Sequence, residues 1–416
     1  MYALNHKTLK YLQNTQYALI IILILTLPYF IAPAFTLLIS VFIFLITIII
    51  NKIDIKNLLQ EKTIFYLLSF IILVYISALW SPVDNIFEGN FKVNIDSYLN
   101  YFFLIPGIYF AKLSKEKIKI IFSLTILSPI IYLVLYYTNF LQITHIYSYH
   151  YDRNTGSYNL YVDLFANIFL LLSAIFLLTK LTISIYAKNH FKSIGLLLLF
   201  LLFSISLFID EITISRMVNL SFLVSVIFVI IYALPKKLKL FFFITLSIIS
   251  VLFLYTSNDF RKGFTELKET YTNNKYEGSW GHRTKLAIYG IEMYLEHPYI
   301  GRGTVDIVDQ MRKNKLNNPE DFKDGSIHFH NNHILLLVQI GIIGYIIFLL
   351  FIYNLYTFKI KDREIDIYKK ATVIVFLTVM LGEHYLQWIP VSSLFAILIA
   401  LFLSYKKYED MEAISN

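Results

Sequence analysis

Apolar runs of membrane-crossing length recur along most of the chain, at about 11–30, 33–50, 63–80, 98–112, 118–137, 160–179, 193–210, 215–234, 238–255, 332–357, 370–387 and 389–404. A helix needs roughly 20 residues, rising 1.5 Å each, to cross about 30 Å of hydrocarbon. The pattern therefore predicts an all-α polytopic membrane protein with about 12 transmembrane helices. Pro28 and Pro33 divide the first long apolar stretch in two, because proline removes a backbone donor and ends or kinks a helix. Residues 256–331 form the one long polar interruption. The expected organisation is transmembrane helices 1–9 over residues 1–255, a large loop over 256–331, and transmembrane helices 10–12 with a C-terminal tail over 332–416.

The content of the loop predicts order. Arg283 to Glu296 carries Leu286, Ala287, Ile288, Tyr289, Ile291, Met293, Tyr294 and Leu295 and stops at His297-Pro298, which reads as a helix opened by Arg283 and buried on much of its circumference. A second short helix is expected from Thr304, its cap, to about Lys313. Residues 314–327, with Asn317, Asn318, Pro319 and Gly325, read as a turn region.

Charge orients the pattern. Lys7 and Lys10; Lys52, Lys56 and Lys62; Lys112, Lys115, Lys117 and Lys119; Lys180, Lys188 and Lys192; Lys236, Lys237 and Lys239; Lys359, Lys361, Arg363, Lys369 and Lys370; and Lys406 and Lys407 all fall in alternate connections. The opposite short connections hold Lys92, Arg153 and Arg216. Basic residues are retained on the cytoplasmic side, so both termini are expected there, with the long loop in the periplasm or at the cell exterior. That loop has eleven basic and eleven acidic residues. The surplus of 36 Lys+Arg over 28 Asp+Glu is thus a topology signal, and no nucleic-acid partner is expected.

Composition agrees with a membrane protein: 57% of residues are hydrophobic, 15% are charged, and the mean hydropathy is +0.63. No soluble domain of this length normally carries that balance. The lack of cysteine removes disulfides, thiolate metal sites and thiol nucleophiles. No small-residue cleavage site follows Lys7 and Lys10, so the first apolar run is read as a retained span.

Ionisable groups beside membrane spans are costly and tend to mark function. On the outward side these are Arg216, in Thr213-Ile214-Ser215-Arg216, Arg283, and His330, in His328-Phe329-His330-Asn331-Asn332-His333. Arg216 could instead snorkel to headgroups or pair with Asp210 or Glu211, and Arg283 could be an ordinary loop arginine. The histidine run has no companion carboxylate of obvious placement, so a metal site is not expected. An imidazole that titrates near neutral pH at a membrane boundary suits a general base for a sugar hydroxyl, although His330 could also simply cap a span. His333, one turn on, is expected to pack or to orient its neighbour. Gly341 and Gly344 share one face of the next span, where small residues let helices approach closely.

The chain resembles the bacterial O-antigen ligases, in a superfamily that also holds O-antigen polymerases and protein O-oligosaccharyltransferases. The resemblance rests on His330-Asn331, nine residues, Gly341, two residues and Gly344 after the large loop. Thr213-Ile214-Ser215-Arg216, and Arg283 ahead of His297-Pro298-Tyr299-Ile300-Gly301-Arg302-Gly303, are similar too. It implies a GT-C-like, metal-independent inverting glycosyltransferase of the bacterial inner membrane, active on its periplasmic face without nucleotide or other cofactor. The implied donor is an undecaprenyl-diphosphate-linked glycan, and the implied acceptor is lipid A–core oligosaccharide. His330 would be the general base and Arg216 and Arg283 would bind the diphosphate, with His328 and Asn331 as further substrate contacts. Asp210 and Glu211 depart from expectation beside a diphosphate site.

Three other readings stay open. A polymerase shares the donor and the charge logic but takes another glycan repeat as acceptor; the spaced glycines lean toward ligase. A protein-glycosylating relative usually has a longer C-terminal part. A polysaccharide flippase or other transporter also needs many spans, but its ionisable groups line a midplane path between repeated halves, whereas here they gather on one outer face.

Overall fold

A computed structural model describes residues 6–29, 33–50, 59–81, 90–111, 113–137, 150–152, 157–159, 162–207, 216–235, 239–240, 244, 258–273, 276, 278–304, 329–383 and 385–415. Helices dominate: α1 (His6–Thr26), α2 (Pro33–Ile50), α3 (Lys62–Ile76), α4 (Asn90–Tyr109), α5 (Lys115–Tyr137), α6 (Val162–Tyr186), α7 (His190–Leu207), α8 (Arg216–Ala233), α9 (Asn258–Asn273), α10 (Gly278–Glu296), α11 (Asn332–Thr357), α12 (Arg363–Val379) and α13 (Ile389–Ser415). The one departure from an all-helical chain among the described residues is an antiparallel ribbon pairing His150–Asp152 with Ser157–Asn159.

Among the described residues, five helical stretches are long and apolar enough to cross a membrane, 62–80, 167–186, 190–207, 332–357 and 389–413, and two shorter apolar ones are 35–50 and 217–233. The protein is a multi-pass membrane protein. The predicted span 238–255 lies almost wholly outside the described residues, as do the second loop helix beyond Thr304 and the turn region 314–327.

Helices α6 and α13 form the centre, with 83% and 89% of their apolar windows buried. Helix α7 packs on α6 but is only 17% buried, and it turns Ile194, Leu198, Leu202 and Ile205 outward. An apolar helix exposed in this way has acyl chains for solvent. Around the centre, α4 packs on α13 and α2, α11 on α3, and α8 on α12.

Basic residues assigned to one side by the charge pattern do meet at one end of the bundle. Lys119 pairs with Asp362 at 2.9 Å, Lys180 with Glu364 at 3.5 Å, Lys115 with Glu412 at 3.5 Å and Lys406 with Glu61 at 3.3 Å. Arg363 donates to the Ala233 carbonyl at 3.1 Å. Asp362 also caps α12, accepting from the Glu364 and Ile365 amides, and accepts from the Tyr405 hydroxyl at 2.7 Å. Burial pushes its carboxyl up, and hydrogen bonds from Lys119 and Tyr405 more than reverse this, leaving it below its ordinary value. An Asp362→Ala variant is expected to lose about 1–2 kcal/mol, mostly the cap, since the exposed Lys119 pair adds little. A melting scan in detergent at neutral pH checks it. Because the folded carboxyl is the stronger acid, the stabilisation is full above the ordinary aspartate range of about 4 and fades as pH falls through the folded value, so variant and parent converge in acid.

Two sequence expectations need correction here. The window 370–387 is not one span, because α12 stops at Val379 and a 3-10 turn over Tyr385–Gln387 leads to α13. Within the loop, α9 was not foreseen, and α10 begins at Gly278, which puts Arg283 in its second turn.

Candidate functional site

Helix α10 is anchored by its apolar face. Leu286 and Met293 pack with Phe329, Leu335 and Val338, and Gly290 lies so close to Ile334 that a Cβ would overlap it. Ile288, Ile291 and Leu295 are exposed, so the helix is half-buried, less than its sequence suggests. Its N-terminus is tied to α9, where the Glu266 carboxylate accepts from the Trp280 amide at 3.3 Å.

After Pro298 the chain docks into a break in α11. Gly341 has φ 63° and ψ −172° inside that helix. The break frees amides that would otherwise bond within the helix, and Ile342 and Ile343 donate to the Pro298 and Tyr299 carbonyls at 2.9 and 3.2 Å. In return, the Arg302 and Gly303 amides donate to the Val338 and Gln339 carbonyls at 2.8 and 2.9 Å. Gly301 and Gly303 have φ of 73° and 87°, a region that side chains rarely adopt. Thr304 bonds the Ser77 hydroxyl and donates to the Val74 carbonyl at 2.7 Å, fastening the segment to α3. Gly341 thus serves a loop-to-helix contact in place of the expected helix-to-helix one, and Gly344 faces its own Ile340 side chain.

His330 stands at the top of α11 in a left-handed conformation, φ 50°, which costs a non-glycine residue about 1–2 kcal/mol. Its neighbours hold it there. Phe329 is buried in the α10 cluster. The Asn331 side-chain oxygen caps α11, accepting from the His333 and Ile334 amides at 2.9 and 3.1 Å. The Asn332 amide donates to the Met380 carbonyl at 2.8 Å, and its side-chain oxygen accepts from the Leu386 amide at 3.2 Å. His333 contacts the Tyr345 hydroxyl at 3.0 Å and the Leu377 carbonyl at 3.1 Å, which makes it a packing residue.

These bonds bring the turn after α12 against His330 and deliver Glu383, which is 5% exposed. Glu383 Oε1 accepts from Arg283 Nη2 at 2.7 Å, and Oε2 is 2.9 Å from His330 Nδ1. Residues 283, 330 and 383 are therefore joined by one carboxylate. An ionised carboxylate only accepts, so with Glu383 in that form the contact calls for a proton on His330 Nδ1, which in the neutral ring leaves Nε2 as the acceptor. Helix α8 arrives at the same turn: its backbone starts at Arg216, and Gly382 abuts Met217 so closely that a Cβ has no room. The Arg216 side chain and His328, Asp210 and Glu211 lie outside the described residues. The cavity of about 540 Å³ lined by Glu61, Lys62, Tyr109, Asn354 and Lys406 is at the lysine-rich end, away from this site.

Residues 197–349 match the family model described as O-antigen ligase. The match supports membership of the O-antigen ligase family. It spans Arg216, Arg283, His330, Gly341 and Gly344 and ends before Glu383, so the carboxylate joining Arg283 to His330 comes from outside the matched segment. No curated protein matches the chain.

Glu383 escaped the sequence reading. Its signal was a Glu-His pair, Glu383-His384, within an apolar stretch, where a charge is costly enough to imply use.

Proposed function

We propose that the chain transfers a glycan from undecaprenyl diphosphate to lipid A–core oligosaccharide, in the manner of an O-antigen ligase. The site is taken to face the periplasm, with the inner membrane crossed about 12 times, as the hydropathy and charge patterns suggest. The observation that carries the reading is the Arg283–Glu383–His330 bridge.

In this reading the acceptor hydroxyl attacks the anomeric carbon while His330 Nε2 takes its proton. Glu383 holds the ring in that tautomer and stabilises the imidazolium that forms. The new bond joins the hydroxyl oxygen to the anomeric carbon, and the bond that breaks joins that carbon to the diphosphate. A single displacement inverts the centre. Charge builds on the leaving phosphate oxygens, and a guanidinium fork binds these directionally. Arg283 spends one Nη on Glu383 and has further donors for the diphosphate, with Arg216 as the second cation. Asn331, its oxygen committed to the cap, serves mainly to set the His330 backbone, while His328 remains a proposed substrate contact. No metal or nucleotide is needed for this step.

Lipid analysis of a deletion strain tests the reading. Core-only lipopolysaccharide with polymer accumulating on undecaprenyl diphosphate, reversed by the parent chain but not by Arg283→Ala, is the expected result. Single repeats on the core would make it a polymerase, and donor trapped at the cytoplasmic leaflet would make it a flippase.

A further inference from the structure

The last turns of α10 and the docked segment that follows leave large apolar side chains uncovered. Leu295 is 64% exposed, Tyr299 72% and Ile300 51%, with Ile291 one turn back at 49%. The charges beside them, Glu296 and Arg302, are paired with each other. This tip adjoins Gly341, because its backbone bonds Ile342 and Ile343. From Ile343 onward α11 turns an apolar stripe outward, with Ile343, Ile346, Leu350 and Tyr353 all exposed. The docked tip therefore meets α11 at the head of this stripe, through the Ile343 amide and the Tyr299 carbonyl.

Length places this junction in the bilayer. From the break at Gly341 to Thr357, α11 runs 16 helical residues, roughly 24 Å against about 30 Å of hydrocarbon. If its Thr357 end marks the inner boundary, roughly 20 residues bring the outer boundary to near Val338. Tyr299 and Ile300, docked beside residues 341–343, then sit at or just below that boundary. There an amphipathic tyrosine and aliphatic side chains are favoured.

We propose that Ile291, Leu295, Tyr299 and Ile300 form an interfacial anchor inserted among phospholipids of the outer-facing leaflet at the level of the headgroup–acyl boundary. The anchor ties α10, and with it Arg283, to the membrane surface at a fixed height relative to His330. It rests on the span assignment of α11 and is independent of the proposed transfer activity.

Because the chain has no cysteine, single spin labels report depth cleanly. Leu295→Cys and Tyr299→Cys would be labelled in the full-length protein in phosphatidylethanolamine/phosphatidylglycerol nanodiscs. Ile346→Cys on α11 serves as the lipid reference and Glu269→Cys on α9 as the aqueous reference; both sites are exposed. Labels at 295 and 299 are expected to collide with oxygen relative to a water-soluble nickel chelate at a ratio several-fold above that at 269, close to that at 346. Melting scans of the labelled variants establish that each is folded. Ratios at 295 and 299 equal to that at 269 in folded protein overturn the proposal, whatever the transfer activity.

Discussion

Replacing Glu383 with glutamine is expected to lower glycan transfer on the order of 1,000- to 10,000-fold while leaving the protein folded and inserted. The argument is about proton placement. Glutamine matches glutamate in shape, and its oxygen can still accept from Arg283 Nη2. Its amide nitrogen, however, presents donors toward His330 Nδ1, where the carboxylate presented an acceptor 2.9 Å away. His330 must then accept at Nδ1 and carry its proton on Nε2, the atom that should receive the proton of the acceptor hydroxyl. Removal of the carboxylate also removes the charge that stabilises the imidazolium. Arg283 is 30% exposed, so water can solvate its guanidinium, and the loss falls on chemistry more than on stability. Transfer by purified Glu383→Gln within threefold of the parent, at matched protein level, would show that the carboxylate is only structural.

Gly301→Ala is expected to cost about 2–5 kcal/mol, from a left-handed conformation that a side chain resists and from overlap with a neighbouring backbone. A Cβ at Gly301 would meet the main chain of Gln339 and Ile340, which cannot swing aside as a side chain does. The same holds at Gly341 against the Tyr299 carbonyl. The docked segment connects the helix bearing Arg283 to the helix headed by His330, so transfer falls even in molecules that fold. Gly195 on α7 is the contrast, since nothing lies within 4 Å of its Cβ position, and Gly195→Ala should be neutral or mildly stabilising. Melting temperatures of the two variants in detergent decide the matter. Gly301→Ala melting with the parent would mean that the break in α11 is not rigid.

Much of the helical frame was legible because hydropathy depends little on tertiary detail: a stretch such as 332–357 is apolar wherever it packs, and α11 spans those very residues. Where hydropathy averages over a window, detail is lost. Glu383 disappeared inside 370–387, whose mean is apolar, although α12 ends four residues before it. Helix α9 was missed for the opposite reason, as its charged sequence shows little continuous apolar signal. Arg283 and His330 were found as residue types at a membrane boundary, but their meeting requires the Phe329, Asn331 and Asn332 contacts, which no periodicity encodes. Gly341 was recognised by spacing and assigned the wrong partner, since the spacing of two glycines does not reveal that a loop will enter the helix between them.

The central claim is that His330, oriented by Glu383, is the base in transfer from a lipid diphosphate. Its most direct test uses the purified chain in nanodiscs with an undecaprenyl-diphosphate-linked glycan and lipid A–core, following the acceptor by mass. The account predicts an acceptor heavier by the glycan, undecaprenyl diphosphate released in equal amount, and neither product with a folded His330→Ala variant. Transfer by His330→Ala at the parental rate, or none by a folded parent given both substrates, would contradict it.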